Sequence, residues 1–198
     1  PDLQRKEPVA GDDLILTIDH KLQEASEKAL GTQRAAVVAI DPHNGDVLAF
    51  VSTPTFDPNG FARGLSVPEY RALADNPDKP LIDRALRGVY PPGSTIKPFV
   101  ALAALQYGVI GPLDTRWCRG VWSFPGSSHK YRDWKRTGHG SVDMHRAIAQ
   151  SCDTYFYVIG NRFYEGGSAT RSRMQQWARK FGFGAPTGLD IGNEAPSS

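Results

Sequence analysis

The sequence of 198 residues has few cysteines, little net charge and no long hydrophobic run. Its two cysteines, Cys118 and Cys152, are too few for a scaffold held by disulfides, so the fold must rest on a hydrophobic core. The 23 basic and 21 acidic residues give a net charge of +2, which provides no electrostatic reason to expect a nucleic-acid partner or a membrane surface. The longest apolar stretches, such as 35–40 and 99–105, fall well short of the roughly 18 residues that a membrane span needs.

What the sequence does contain is an ordinary globular composition, with 40% hydrophobic and 22% charged residues, at a length that suits one domain. Residues 1–12 are predicted to form a linker or arm, and residues 13–198 the domain. Apolar runs on both sides of Asn44 and Gly45 predict a β-hairpin. Because both runs are almost continuously apolar, we expect helices to cover the hairpin on both faces.

Helical patterns recur along the rest of the chain and dominate its second half. Helices are predicted at 20–30, 67–74, 95–107, 143–150, 154–164 and 169–181. Residues 53–66 are predicted to form a loop, a second irregular stretch ends at Gly93, and residues 108–142 are the least regular segment. The sequence therefore predicts an α+β fold that is richer in helices towards its C-terminal half.

The sharpest candidate for chemistry is the pattern Ser94-x-x-Lys97 at the start of an apolar helix. Positions three apart share a helix face, so the serine hydroxyl and the lysine amine can meet. A serine alcohol is a weak nucleophile until a neighbour takes its proton. A lysine can take it only where burial and the positive end of a helix favour the neutral amine. The backbone N–H of Ser94 can also help to hold a developing oxyanion.

This pattern is short, and it should arise about once by chance in a chain of this length. A second copy, Ser127 with Lys130, lies in a loop rich in glycine and serine, where nothing would hold the pair together or exclude water from the lysine. The alternative for Ser94 is an ordinary helix N-cap, which the preceding Pro-Pro-Gly would also produce.

A second candidate lies between two helical segments, at Ser151, Cys152 and Asp153. In a tight turn, the serine hydroxyl and the carboxylate two residues later can both point into one cleft. Ser151 could then shuttle a proton, and Asp153 could hydrogen-bond Lys97 or a substrate amide. The alternative is a plain N-cap for the helix predicted at 154–164.

Both motifs, with their surroundings, resemble the transpeptidase domain of class B penicillin-binding proteins, and most of all the elongation-specific members from Gram-negative bacteria. The resemblance rests on segments 87–98, 138–142 and 151–157, in the order and approximate spacing of that family. Segments 14–19 and 36–40 resemble the start of the same domain. The resemblance implies the α+β fold shared with serine β-lactamases, here as its helix-rich part with a partial antiparallel sheet.

The resemblance also implies an activity, a peptidoglycan D,D-transpeptidase that works through a serine acyl-enzyme and is a target of β-lactam antibiotics. It makes Ser94 the nucleophile and Lys97 the base, while Ser151 relays protons and Asp153 positions the lysine and the substrate. The implied partners are peptidoglycan stem peptides, a membrane glycosyltransferase and elongation-complex proteins, at the periplasmic face of the bacterial inner membrane. Neither nucleic acid nor an organic cofactor is expected.

One departure from the family pattern concerns its third motif. The sequence Lys-(Ser/Thr)-Gly, which in this family lies on a strand that lines the cleft, does not occur in the 198 residues. We therefore expect a shortened form without the C-terminal strands and the membrane anchor, whose activity the sequence does not establish. Two alternative functions would use the same acylation of the serine: a penicillin-recognising sensor module and a serine β-lactamase.

A possible metal site involves two cysteines, an aspartate and a histidine in or just after the irregular segment. Their spacing matches no compact zinc finger, but a metal would order a long irregular stretch and would support the turn at Cys152 from behind. The resemblance also suggests structural zinc. A Cys118–Cys152 disulfide and two merely buried cysteines are the alternatives. The predicted ligands are Cys118, Asp133, His139 and Cys152, with His129, His145 and Asp143 as possible substitutes for Asp133.

Overall fold

A computed structural model describes residues 9–192 together with residues 194 and 195. The chain divides between residues 88 and 89 into two compact units, which are described in turn. The arm predicted over residues 1–12 lies mostly outside the described residues, and the boundary at residue 12 stays a prediction. Throughout the described residues, the helices are too short or too polar to cross a membrane.

The first unit is built on an antiparallel hairpin of β1 (Ala35–Ile40) and β2 (Val47–Thr53), as predicted. At its turn, Gly45 adopts a φ of 85°. Helix α1 (His20–Leu30) packs against β2. The side-chain amide of Gln23, on this helix, donates a hydrogen bond of 3.0 Å to the Phe50 carbonyl oxygen and accepts one of 2.8 Å from the Phe50 backbone N–H. The Gln23 side chain thus joins the helix to the backbone of β2 through two hydrogen bonds.

The expectation that helices cover both faces of the hairpin is wrong for this structure. Exposure alternates along β1, and the side chains of Val38 and Ile40 are 42% and 57% exposed. An antiparallel pair of strands can leave one face exposed to solvent. The expectation failed because the almost continuous apolar sequence of each strand is typical of strands buried on both faces.

Three short helices complete the first unit over its described residues, 9–88. Helix α3 (Val67–Ala74) has the predicted bounds and begins with a capping box between Ser66 and Glu69. Helices α2 (Pro58–Arg63) and α4 (Arg84–Arg87) lie in segments that were predicted to be irregular. Each begins after an aspartate N-cap but is too short to show a helical period, which explains why the sequence pattern missed it.

The second unit contains four longer helices, α5 (Lys97–Gln106), α6 (Met144–Ala149), α7 (Asp153–Glu165) and α8 (Ser168–Lys180). They confirm the predicted helices within a few residues. A 3₁₀ turn at Gly93–Ile96 precedes α5, so Ser94 lies in that turn and not in the α-helix. Helices α5, α6 and α7 supply most of the core, which includes Ala101, Ala103, Ala104, Ala147, Tyr155, Ile159 and Phe163.

The irregular segment between α5 and α6 is held by two small antiparallel pairs. Strand β3 (Arg116–Cys118) pairs with β6 (Gly140–Val142), and β4 (Val121–Trp122) pairs with β5 (Tyr131–Arg132). At Gly120 and Gly138, two stretches of the backbone cross in close contact, which the absence of a Cβ at both positions allows. A Cβ on Gly120 would lie 2.2 Å from the Arg136 carbonyl oxygen, and one on Gly138 would lie 2.1 Å from the Cys118 carbonyl oxygen.

This crossing predicts a sharp difference between two glycines of equal φ. Gly138 and Gly126 both have a φ of 79°, but a Cβ on Gly126 meets no atom within 4 Å. Gly126→Ala should therefore cost about 1–2 kcal/mol of the free energy of unfolding, the strain of a left-handed residue. Gly138→Ala adds a backbone clash and should cost on the order of 4 kcal/mol or prevent folding. Denaturant unfolding of the 198-residue chain measures both, and equal losses would contradict the crossing.

Candidate active site and metal cluster

The Ser94 hydroxyl is exposed at the start of the 3₁₀ turn, directly after Gly93, whose φ of 58° bends the chain into that turn. Its Oγ accepts a hydrogen bond of 2.9 Å from Ser151 Oγ. The two serines are 57 residues apart in the sequence, so the second unit as a whole brings them together. An exposed hydroxyl with an oriented polar neighbour is open to attack an incoming carbonyl group.

Lys97 is buried at the first position of α5, and its amine makes three hydrogen bonds. Nζ donates to the Ser151 carbonyl oxygen at 2.9 Å, to Ser151 Oγ at 3.0 Å and to Asp153 Oδ1 at 2.5 Å. These acceptors match the three N–H bonds of an ammonium group. The ring of Phe156 lies 5.6 Å from Nζ and contributes to the burial.

The expected contact between Ser94 and Lys97 is therefore replaced by a bridge. The three acceptors of Lys97 all belong to Ser151 and Asp153, and Ser151 Oγ connects the amine to Ser94 Oγ. The second S-x-x-K copy shows no such assembly: Ser127 and Lys130 are both exposed, and Ser127 Oγ accepts a bond from the backbone of His129.

Side chains of residues 151–154, in the turn after α6 and at the start of α7, point alternately to two opposite sides. Ser151, with a left-handed φ of 52°, and Asp153 face Lys97. Cys152 and Thr154 face the opposite way and meet each other at 3.4 Å between Sγ and Oγ1. A non-glycine residue with positive φ is uncommon and needs support from its surroundings. We infer that the contacts on both sides of the turn hold Ser151 in this conformation.

Four potential metal ligands converge on the far side of this turn, with one ligand atom of each within 4.8 Å of the others. They are the four predicted residues Cys118, Asp133, His139 and Cys152. The three possible substitutes lie elsewhere, since Asp143 caps α6 through the Arg146 N–H while His129 and His145 are exposed.

Both cysteines are free, so the disulfide alternative is not what the structure shows. Burial raises the pKa of the Cys152 thiol to about 12. Burial also acts to raise the pKa of Asp133, but the backbone N–H groups of Thr154 and Lys135, with His139 beside them, hold it below its ordinary value. Asp133 is therefore an ionised carboxylate inside the protein, which needs compensating positive charge or hydrogen bonds.

The histidine of this group has a defined orientation. His139 Nδ1 lies 3.1 Å from Gln150 Oε1, and Nε2 lies 3.1 Å from Asp133 Oδ1. If Nδ1 donates to Gln150, Nε2 of a neutral imidazole carries a lone pair that faces a carboxylate. A cation between these two acceptors, either a proton or a metal ion, resolves the conflict. Two sulfurs, an imidazole nitrogen and a carboxylate oxygen form a donor set that fits a four-coordinate metal ion.

Sequence reasoning missed three residues that support these groups. Thr154 donates from its backbone N–H to Asp133 Oδ2 at 3.1 Å and from Oγ1 to Cys118 Sγ at 2.7 Å. Gln150 and Trp134 contact His139. The only available signal was that Gln150 and Thr154 directly flank the Ser-Cys-Asp motif, and nothing in the sequence pointed to Trp134.

Known proteins resemble this chain over almost its whole length. A family model for the penicillin-binding protein transpeptidase domain matches residues 35–198. The peptidoglycan D,D-transpeptidase MrdA of Acinetobacter baumannii is 48% identical over 193 residues, which are 98% of this chain but 28% of that protein. The chain therefore spans less than a third of that curated relative.

Solved structures show the same likeness. The Pseudomonas aeruginosa PBP2 structure in complex with WCK 5153 superposes with a TM-score of 0.84 at 46% identity, over 98% of this chain and 41% of that one. A complex between PBP2 and MreC from Helicobacter pylori gives 0.76 at 33% identity, over 89% of this chain and 32% of that one. The α+β fold expected from the sequence is thereby confirmed. The chain belongs to the penicillin-binding protein transpeptidase domain family.

Proposed function

We propose that this chain carries the acyl-transfer centre of a peptidoglycan D,D-transpeptidase, with Ser94 as the nucleophile. The observation that supports it best is the continuous hydrogen-bonded path from Ser94 Oγ through Ser151 Oγ to Lys97 Nζ, with Asp153 on the far side of the amine. The activity named for the Acinetobacter relative is the same.

The path becomes a proton relay when Lys97 is neutral. Loss of one proton leaves two N–H bonds for Asp153 Oδ1 and the Ser151 carbonyl, and it turns a lone pair towards Ser151 Oγ. Ser151 can then donate to Lys97 and accept the proton of Ser94. Asp153 thus keeps the amine in place in both protonation states.

In the acylation step, Ser94 Oγ attacks the carbonyl carbon of a D-Ala–D-Ala bond in a donor stem peptide. Its proton passes through Ser151 to Lys97, the C–N bond breaks, and the leaving D-Ala amine takes up the proton. The backbone N–H of Ser94 stabilises the oxyanion. A β-lactam would follow the same course, with its ring amide opening and its acyl group staying on Ser94.

In the second step, the amine of a neighbouring stem peptide attacks the ester carbonyl. The ester C–O bond breaks, Ser94 regains a proton through the same relay, and a new peptide bond crosslinks the two stems. By resemblance to the family, a strand with the sequence Lys-(Ser/Thr)-Gly would contact the substrate carboxylate and supply a second oxyanion N–H.

The proposed partners follow from the relatives. Donor and acceptor stem peptides and β-lactams would bind at Ser94. Elongation-complex proteins are proposed because the Helicobacter PBP2 is in complex with MreC, and a membrane glycosyltransferase would supply the glycan. This chemistry belongs at the periplasmic face of the bacterial inner membrane.

We also propose that Cys118, Asp133, His139 and Cys152 hold one structural zinc ion. When bound, zinc would take deprotonated thiolates as ligands and add its binding free energy to folding, with no open position for substrate. The four ligand atoms already lie within 4.8 Å of one another, and His139 Nε2 lies 3.1 Å from Asp133 Oδ1.

The nucleophile is tested by the intact mass of the 198-residue chain after incubation with a penicillin. We expect an adduct of one penicillin, absent in Ser94→Ala and retained in Ser127→Ala, the serine of the unassembled copy. An adduct that survives in Ser94→Ala would contradict the proposal. Released penicilloate without a lasting adduct would indicate a β-lactamase, the alternative that shares the acylating chemistry.

The base is tested by a matched pair of lysines. Lys97→Ala should slow acylation of Ser94 by on the order of 10²–10⁴-fold, the usual contribution of a general base, whereas Lys130→Ala should leave the rate unchanged. The rate of adduct formation by mass spectrometry measures both. Equal rates for the two variants would remove Lys97 from the mechanism.

The metal is tested by elemental analysis of the purified chain. We expect about one zinc per chain, lost in His139→Ala and kept in His145→Ala, whose imidazole is exposed on α6. Removal of zinc with a chelator should lower the midpoint of thermal unfolding. A metal content that does not depend on His139 would refute the site.

A further inference from the structure

Gln150 occupies the boundary between α6 and the turn at Ser151. It ends the helix, and its backbone N–H donates to the carbonyl groups of Arg146 and Ile148. From this fixed position, its side-chain Oε1 lies 3.1 Å from His139 Nδ1. The imidazole is 2% exposed, so no water competes freely for Nδ1.

A second contact fixes the plane of the same imidazole. The Trp134 ring lies edge-on to the His139 ring with centroids 5.4 Å apart. Trp134 Nε1 donates to the Gln150 carbonyl oxygen at 3.1 Å. Gln150 therefore contacts His139 directly through its side chain. Its backbone carbonyl also binds Trp134, whose ring packs against the His139 ring.

We propose that Gln150 is a positioning residue of the metal cluster, selecting the His139 tautomer whose Nε2 lone pair points at Asp133 and the two cysteines. The proposal rests on the zinc site proposed above. Oε1 accepts a hydrogen bond from Nδ1–H, and the proton stays on Nδ1, which leaves Nε2 free to bind a metal. Groups that orient a metal-binding histidine in this way typically change metal affinity by 10–100-fold.

The direction of this hydrogen bond can be decided with three variants of the full 198-residue chain. Gln150→Met has a similar length and cannot accept, so it should weaken zinc binding by about 10–100-fold. Gln150→Glu can only accept from Nδ1, so it should bind zinc at least as tightly as the unchanged chain. Gln106→Met, at the exposed end of α5, should have no effect. Zinc affinity is measured by competition with a chromophoric chelator.

A second readout reports the geometry around the metal. With cobalt(II) in place of zinc, we expect the visible absorption of a tetrahedral site with thiolate ligands in the unchanged chain and in Gln150→Glu. The band should shift or weaken in Gln150→Met. Unfolding of each metal-free variant gives the stability of the chain without the ion, which separates positioning from a general loss of structure. Should Gln150→Met fail to fold, Gln150→Asn withdraws the amide by one methylene and should also weaken binding.

Unchanged zinc affinity in Gln150→Met, or a Gln150→Glu variant as weak as Gln150→Met, would overturn the role of Gln150 and leave the zinc site intact. A chain that binds neither zinc nor cobalt would overturn both. The transpeptidase proposal has its own test, the penicillin adduct on Ser94 of the unchanged chain and its loss in Ser94→Ala.

Discussion

The left-handed turn at Ser151 is the constraint on which the site depends. Residues 151 and 153 face Lys97, while residues 150, 152 and 154 face the cluster of His139, Cys118 and Asp133. One short segment therefore shapes two groups of polar residues that lie back to back. A change of backbone conformation at Ser151 would disturb both groups at once.

A buried charged side chain lies on each side of this turn, Lys97 on one and Asp133 on the other. Lys97 and Asp153 pair at 2.5 Å, and the remaining two protons of the ammonium find oxygen acceptors on Ser151. Such a pair tolerates burial only when all of its hydrogen-bonding groups are matched. On the opposite side, Asp133 is stabilised by backbone N–H groups and by His139. The two sites share a backbone, but each one compensates its own charges.

The metal cluster in turn depends on the backbone crossing at Gly120 and Gly138. The crossing turns the irregular segment back on itself, so that Cys118 at the end of β3 lies beside Asp133, whose Oδ2 is 3.6 Å from its sulfur. This segment has little apolar periodicity of its own. Its order comes from two short strand pairs, from the close glycine contacts and from polar groups directed inwards.

The sequence by itself determined the longer elements and the identity of the candidate residues. Helix α1 has an apolar face, an N-cap at Asp19 and Gly31 at its end, and the Asn-Gly turn requires no distant contact. The Ser-x-x-Lys and Ser-Cys-Asp motifs could be found because chemistry limits the residue types that can do this work. The two short helices α2 and α4 were missed, since four to six residues show no period.

Only the tertiary structure decided how these residues meet. It showed that Ser151 bridges Ser94 and Lys97, which lie more than fifty residues away from it, and that one face of the hairpin is open. It also brought Gln150, Trp134 and Thr154 to the cluster. Patterns along a chain report local conformation and residue chemistry. Contacts between distant residues depend on how helices pack and where the backbone crosses, and a single sequence does not encode these in any local pattern.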